Sequence, residues 1–170
     1  MEYSEENILI NKKKRIKLQN ILIKKFNMPV ITLRIVCPGE NKYNDIMNNI
    51  VGNMDEVISD IFSAHIHFKM LRITAEGPIM NFVINREPKE VKKITIEIED
   101  KHILGACIDI DVYDSNMKKI SRTDFGIEER RCFLCNDIAA KCIQEKKHSD
   151  AEIRRYIIRK YREYKESFYE

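Results

Sequence analysis

The segment Gly105-Ala106-Cys107-Ile108-Asp109-Ile110-Asp111-Val112 constrains the fold of this chain more than any other, because it alternates at period two. In an extended strand Ile108, Ile110 and Val112 share one face, and Cys107, Asp109 and Asp111 share the other. The apolar face needs a core layer behind it. Two like charges on the opposite face need solvent or a cation in front of them. By itself the pair reads either as a solvated face or as a site for Mg²⁺, whose preference is for hard carboxylate oxygens, since motifs this short recur by chance.

With 170 residues the chain has the length of one domain, 1–170, able to bury a core without staples. A net charge of +3 does not point to nucleic acid as a partner. No apolar run approaches the ~20 residues of a membrane span. Met1 leads into Glu2, Glu5 and Glu6 rather than into a basic and then apolar leader, so a cytoplasmic protein with no membrane partner is expected. Five cysteines, three of them within 132–142, suit reduced thiols or a metal better than a disulfide framework.

Along the chain, residues 6–26 have helix-forming composition, with Ile10, Leu18, Ile21, Leu22 and Phe26 as the expected buried positions. Lys12, Lys13, Lys14, Arg15, Lys17, Lys24 and Lys25 form either a solvated face or a docking surface for an acidic partner. Residues 30–37 read as a strand that stops at Pro38-Gly39, and a helix follows to about Phe62. Between them, Pro38-Gly39-x-x-Lys42 would aim backbone N–H groups and an ammonium at one spot, as an anionic phosphate requires. The same residues also make an ordinary turn. Residues 68–75 and 79–84 read as strands joined across Glu76-Gly77-Pro78. Residues 85–93 read as a charged connection, and 94–99 as a strand with Ile94, Ile96 and Ile98 inward and Thr95, Glu97 and Glu99 outward. Paired with the aspartate strand, it would gather four carboxylates. Residues 118–122 return as an antiparallel partner after the Asp114-Ser115-Asn116 turn, and the capping box of Ser149 with Glu152 opens a final helix. The expected fold is α+β, with a mixed or mainly antiparallel sheet flanked by helices.

Three constellations carry chemistry. Cys132-x2-Cys135-x6-Cys142-x5-His148 is the inventory of a Cys3His zinc site, although Cys142 can equally pack as a small apolar residue. His102, next to the carboxylate strand, is the histidine best placed for a site role, whereas His65 and His67 read as structural. Arg122, Arg130 and Arg131 follow the aspartates closely, and arginine grips phosphate bidentately. A dicarboxylate with a metal and an arginine cluster is what phosphoryl or nucleotidyl transfer needs.

Taken together, Pro38-Gly39-x-x-Lys42, His102-x-Leu104-Gly105-x-x-x-Asp109-Ile110-Asp111-Val112, Ile120-Ser121-Arg122-x-Asp124-Phe125 and Arg130-Arg131-Cys132-x-Leu134-Cys135 with Cys142 and His148 closely resemble the CitX family. These are the apo-citrate lyase phosphoribosyl-dephospho-CoA transferases, or citrate lyase holo-acyl-carrier-protein synthases. The resemblance runs over about 29–155, most specifically over 102–148. It implies a stand-alone enzyme that takes the prosthetic group from 2′-(5″-triphosphoribosyl)-3′-dephospho-CoA to a serine of the citrate lyase acyl-carrier (γ) subunit and releases diphosphate.

In that reading Asp109 and Asp111 hold Mg²⁺, and Gly39, Lys42, Arg122, Arg130 and Arg131 neutralise the donor phosphates. The base that takes the serine proton is one of Asp111, Asp109 or Glu97. A relation to polymerase-β-type nucleotidyltransferases is one of analogy, since Gly105 lies only four residues before Asp109 and no serine follows it. Two other classes stay open on the residues alone: a zinc-dependent module that binds nucleic acid or protein, and a nucleotidyltransferase with an ordinary nucleotide donor.

Overall fold

A computed structural model describes residues 4–37 and 45–168 of the chain. Helix α1 (Glu5–Phe26) starts where the Ser4 side chain accepts from the Asn7 N–H and ends at Asn27, whose left-handed backbone (φ 51°) turns the chain into strand β1 (Val30–Ile35). Helix α2 (Asp45–Ile61) precedes a hairpin of β2 (Ile66–Thr74) and β3 (Gly77–Ile84). Helix α3 (Pro88–Lys101) and a 3₁₀ turn (Gly105–Cys107) lead into β4 (Ile108–Tyr113) and the short β5 (Lys119–Ile120). A second 3₁₀ turn (Arg122–Phe125), α4 (Ala139–Gln144) and α5 (Asp150–Glu166) complete the described chain.

The five strands form one antiparallel sheet in the order β2-β3-β1-β4-β5, so the fold is α+β with helices against the sheet. Alternation along β1 splits the sheet into two faces. Ile31, Leu33 and Ile35 join Met80, Phe82, Ile84, Ile108, Ile110 and Val112 over Met47, Ile50, Met54 and Ile58 of α2, with Val91 and Ile98 of α3 and Ile157 of α5 in the same core. On the other face Val30 and Val83 pack against Leu22 and Ile23 of α1. The aspartate strand is therefore second from one edge, with its apolar side in the main core.

Several expectations are corrected. Residues 94–99 are helical, and the connection expected at 85–93 already contains the helix start at Pro88. The buried positions are Val91, Lys92, Thr95, Ile96, Ile98 and Glu99, a period near 3.6 rather than 2. A Pro at the first turn, Glu90 near the N-terminus and Lys101 in the last turn are helix signals that outweigh six residues of β-branched alternation. Gly105–Cys107 is a 3₁₀ turn, so the strand begins only at Ile108. In α1, Ile10 and Ile21 are exposed while Arg15, Gln19 and Ile23 are buried, because the inward face meets polar as well as apolar groups. The capping box of Ser149 with Glu152 forms as expected.

Candidate functional site

The face of the sheet under α1 changes character along the strands. Near Val30 and Val83 it is apolar. Further along, Gln19 Nε2 donates to Thr32 Oγ1 (2.7 Å) and Thr32 Oγ1 to Asn81 Oδ1 (3.0 Å), while Arg15 pairs with Glu76 at 3.0 Å. Beyond this polar row lies the aspartate pair. Register sets Arg34 of β1 opposite Asp109, and Thr32 opposite Asp111.

One arginine therefore serves both carboxylates. Arg34 Nη2 donates to Asp109 Oδ2 and, at 3.0 Å, to Asp111 Oδ2, while Lys119 of β5 pairs with Asp111 Oδ1. Burial opposes the charge on Asp111, but Arg34 and Lys119 hold its pKa below the usual carboxylate range. Burial likewise opposes the charge on Lys119, and Asp111 turns that into a raised pKa. Asp111 keeps 5% of its side chain exposed and Asp109 37%, so the pair is one closed and one open carboxylate. Among the described residues Arg34 Nε is buried with no hydrogen-bond partner, a spare donor for an anion. Two hard carboxylates on one face, the outer one open, also suit Mg²⁺ in donor chemistry. Gly39 and Lys42, which follow Arg34 by five and eight residues, lie outside the described residues.

The arginines expected at the phosphates are placed differently from one another. Arg122 pairs with Glu99 (3.2 Å) and Asp100 (2.7 Å) of α3. Arg130 donates to the carbonyls of Ile108 (2.5 Å) and Gly105 (2.6 Å) and approaches Glu99 Oε1 at 3.5 Å. Arg131 is exposed and pairs with Glu128 at 2.7 Å. Arg130 thus braces the strand that carries the aspartates, Arg122 holds the Glu99 that accepts from that strand, and Arg131 faces solvent.

Glu97 is not brought to the aspartates; it sits on the solvent side of α3 and pairs with Lys101 one turn on. Its neighbour Glu99 is the inward one, accepting from the Ile110 N–H at 2.9 Å. On the same helix Lys92 is buried and donates to the Ile110 carbonyl at 2.9 Å. His102 caps α3: its Nδ1 accepts from the Leu104 N–H at 3.1 Å and its ring lies 5.7 Å from that of Tyr164. Burial lowers its pKa, which favours the neutral acceptor form. Gly105 is demanded by space, since a Cβ there would meet the Glu99 carbonyl oxygen at 2.4 Å.

Arg34, Lys119 and Lys92 were not among the sequence candidates, and Glu99 was considered only as one of four carboxylates gathered on a strand face. Arg34 carried the one readable signal, as the only charge in an otherwise apolar strand. The others depend on how α3 and β5 fold against β4.

Apart from the aspartates, Cys132, Cys135, Cys142 and His148 bring one ligand atom each to within 4.8 Å of one another, a cluster able to hold a metal ion. The Asp137 backbone N–H pulls the Cys135 thiol down to about 7, while burial pushes Cys142 up to about 12. No helix among the described residues is long and apolar enough to cross a membrane.

Fold and site thus define an α+β protein that sets two carboxylates and two cations on one face of an antiparallel sheet. The chain belongs to the CitX family, described as apo-citrate lyase phosphoribosyl-dephospho-CoA transferase, which matches residues 4–164. Proteins of that name from Shigella boydii serotype 18, Escherichia coli O157:H7 and Escherichia coli strain SE11 are each 28% identical to it over 144 residues, covering 83% of this chain and 79% of theirs.

Proposed function

We propose that this protein is a transferase that moves the phosphoribosyl-dephospho-CoA group from its triphosphate donor to a serine of the citrate lyase acyl-carrier subunit, in the cytoplasm. The observation that carries the reading is the Asp109–Asp111 pair bridged by Arg34, with Asp109 open to solvent. Family membership supports the same substrates.

The serine oxygen forms a bond to the α-phosphorus of the donor, the bond from that phosphorus to the bridging oxygen breaks, and diphosphate leaves. The serine proton passes to a carboxylate. Asp109 is the better placed base, since it is the open member of the pair, while Asp111 is held ionised between Arg34 and Lys119. Arg34, which bridges both carboxylates, supplies positive charge beside a phosphate oxygen as negative charge builds there. Gly39, Lys42 and the exposed Arg131 are the residues assigned to neutralising the leaving diphosphate. Asp109 and Asp111 would hold Mg²⁺ in exchange for part of their ion pairing with Arg34 and Lys119, and the ion would supply positive charge to the phosphate oxygens. Polymerase-β-type chemistry remains the analogy for this step. The Cys/His cluster has soft donors, suited to Zn²⁺ rather than Mg²⁺.

The test is mass spectrometry of apo carrier protein incubated with this protein, donor and Mg²⁺. The carrier should gain the mass of the prosthetic group. Asp109→Asn and Asp111→Asn should each slow the gain by roughly 10²-fold or more without unfolding the protein. Full activity in both variants would reject the site, and modification with an ordinary nucleoside triphosphate would reject the donor.

A further inference from the structure

Residues 121–149 contain one buried side chain, Cys142, while Ile127, Leu134, Ile138 and Ile143 are exposed. A stretch this long with almost nothing apolar inside cannot offset its conformational entropy by burial. Its backbone is nevertheless closely bonded. Cys132 N–H donates to the Asp137 carbonyl (2.6 Å), Asn136 N–H to that of Cys132 (2.9 Å), Ala139 N–H to that of Arg130 (2.8 Å) and Lys147 N–H to that of Cys142 (3.0 Å). Asn136 takes the left-handed conformation (φ 63°) that closes the turn after Cys135. A segment without a core needs a staple, and the choices are a disulfide or a metal.

The donors favour the metal. Cys135 Sγ lies 3.5 Å from Cys142 Sγ and 3.2 Å from His148 Nε2, with all four ligand atoms within 4.8 Å. Bonds of ~2.3 Å to a tetrahedral ion would set sulfurs about 3.8 Å apart, so the four atoms already surround a point. A disulfide would leave one thiol and the imidazole of that cluster unexplained.

We propose that Cys132, Cys135, Cys142 and His148 bind one Zn²⁺, as three thiolates and a neutral imidazole with the thiol protons released to solvent, and that this ion holds Arg130 against the aspartate strand. β5 pairs only with Val112 and Tyr113, so among the described residues no strand lies on the outer side of Ile108–Ile110. Side chains stand in for one there. Glu99 takes the Ile110 N–H, Lys92 reaches the Ile110 carbonyl, and Arg130 reaches the carbonyls of Ile108 and Gly105. Glu99 and Lys92 are held by the core-packed helix α3. Arg130 has no such support, and stands two residues before the first cluster cysteine. Phe133, stacked on Tyr156 at 4.2 Å, joins the unit to α5. Arg130 is thus a positioning residue, fixed by the metal unit and acting on the backbone that presents Asp109. The bearing on transfer rests on the function proposed above; the metal and the bracing do not.

Full-length protein from zinc-supplemented medium should carry about one Zn²⁺ per chain by elemental analysis. Its Co²⁺-substituted form should show the thiolate charge-transfer absorption of a tetrahedral site. Stripping the metal with a chelator should speed amide hydrogen exchange in peptides covering 130–148 and 105–110, roughly tenfold in the second, and leave β3 unchanged. Arg130→Lys should retain zinc, speed exchange at 105–110 alone, and lower kcat for transfer more than it raises KM for the donor. Background zinc with all the cluster thiols reacting freely would overturn the metal site. Zinc present, but exchange at 105–110 unmoved by stripping and by Arg130→Lys, would overturn the bracing role. Zinc and exchange effects as expected, with no carrier modified, would reject the transferase reading and leave this one standing.

Discussion

Arg34 decides the character of the site, because without it two carboxylates would face each other with only Lys119 between them and solvent. Removing one partner of a buried ion group is costly, but the open Asp109 lets water screen part of the loss. Arg34→Met should therefore destabilise the protein by about 2 kcal/mol, read as a lower urea midpoint with an unchanged slope. A change below about 0.5 kcal/mol would mean that the pair is solvated. The pKa of Asp111 is depressed in the folded protein, so its contribution is present above the unfolded carboxylate value of about 3.9 and is lost as pH falls through the lower folded value. Wild-type protein should be more stable than Asp111→Asn at neutral pH, and the gap should close below about pH 4. A gap that stayed constant down to pH 3 or so would contradict the ion pairing.

Helix α3 shows why an element can be misread from its own residues. The run Ile94-Thr95-Ile96-Glu97-Ile98-Glu99 fits period two, yet the inward set Val91, Thr95 and Ile98 with Lys92, Ile96 and Glu99 fits period 3.6. Six residues are too few to separate the periods; the wider window from Pro88 to Lys101 separates them. The two readings differ in a measurable way. A strand would place Glu97 and Glu99 on one face, whereas the helix exposes the first and buries the second against the Ile110 N–H, Arg122 and Arg130. Glu97→Gln should change stability by less than about 0.5 kcal/mol, and Glu99→Gln should cost roughly 2 kcal/mol by thermal or urea unfolding. Equal effects would argue against the observed helix. The strands at 30–37, 68–75 and 79–84 and the outer helices were legible because each is long or bounded by clear turn and cap residues.

At the scale of the whole molecule, α1 lies across the face that carries the aspartates and turns Lys12, Lys13, Lys14, Lys17, Lys24 and Lys25 outward. An acidic carrier protein would be steered to that side of the sheet, so transfer to the carrier should slow as salt rises from low to moderate concentration. A rate indifferent to salt would remove α1 from the docking surface. The sequence by itself determined the aspartate strand, its apolar side, the Cys/His spacing and the family likeness, all of which are local in the chain or fixed by residue type. Tertiary structure alone decided which cations meet the carboxylates. Arg34 is 75 residues from Asp109, and only the antiparallel register of β1 with β4 makes them neighbours. It also decided that Arg130 braces the strand directly and Arg122 through Glu99, because the gap beside Ile108–Ile110 exists only once β5 has stopped short. Local patterning reports which face of an element is buried; which groups meet on that face depends on register between distant segments, and no local periodicity encodes it.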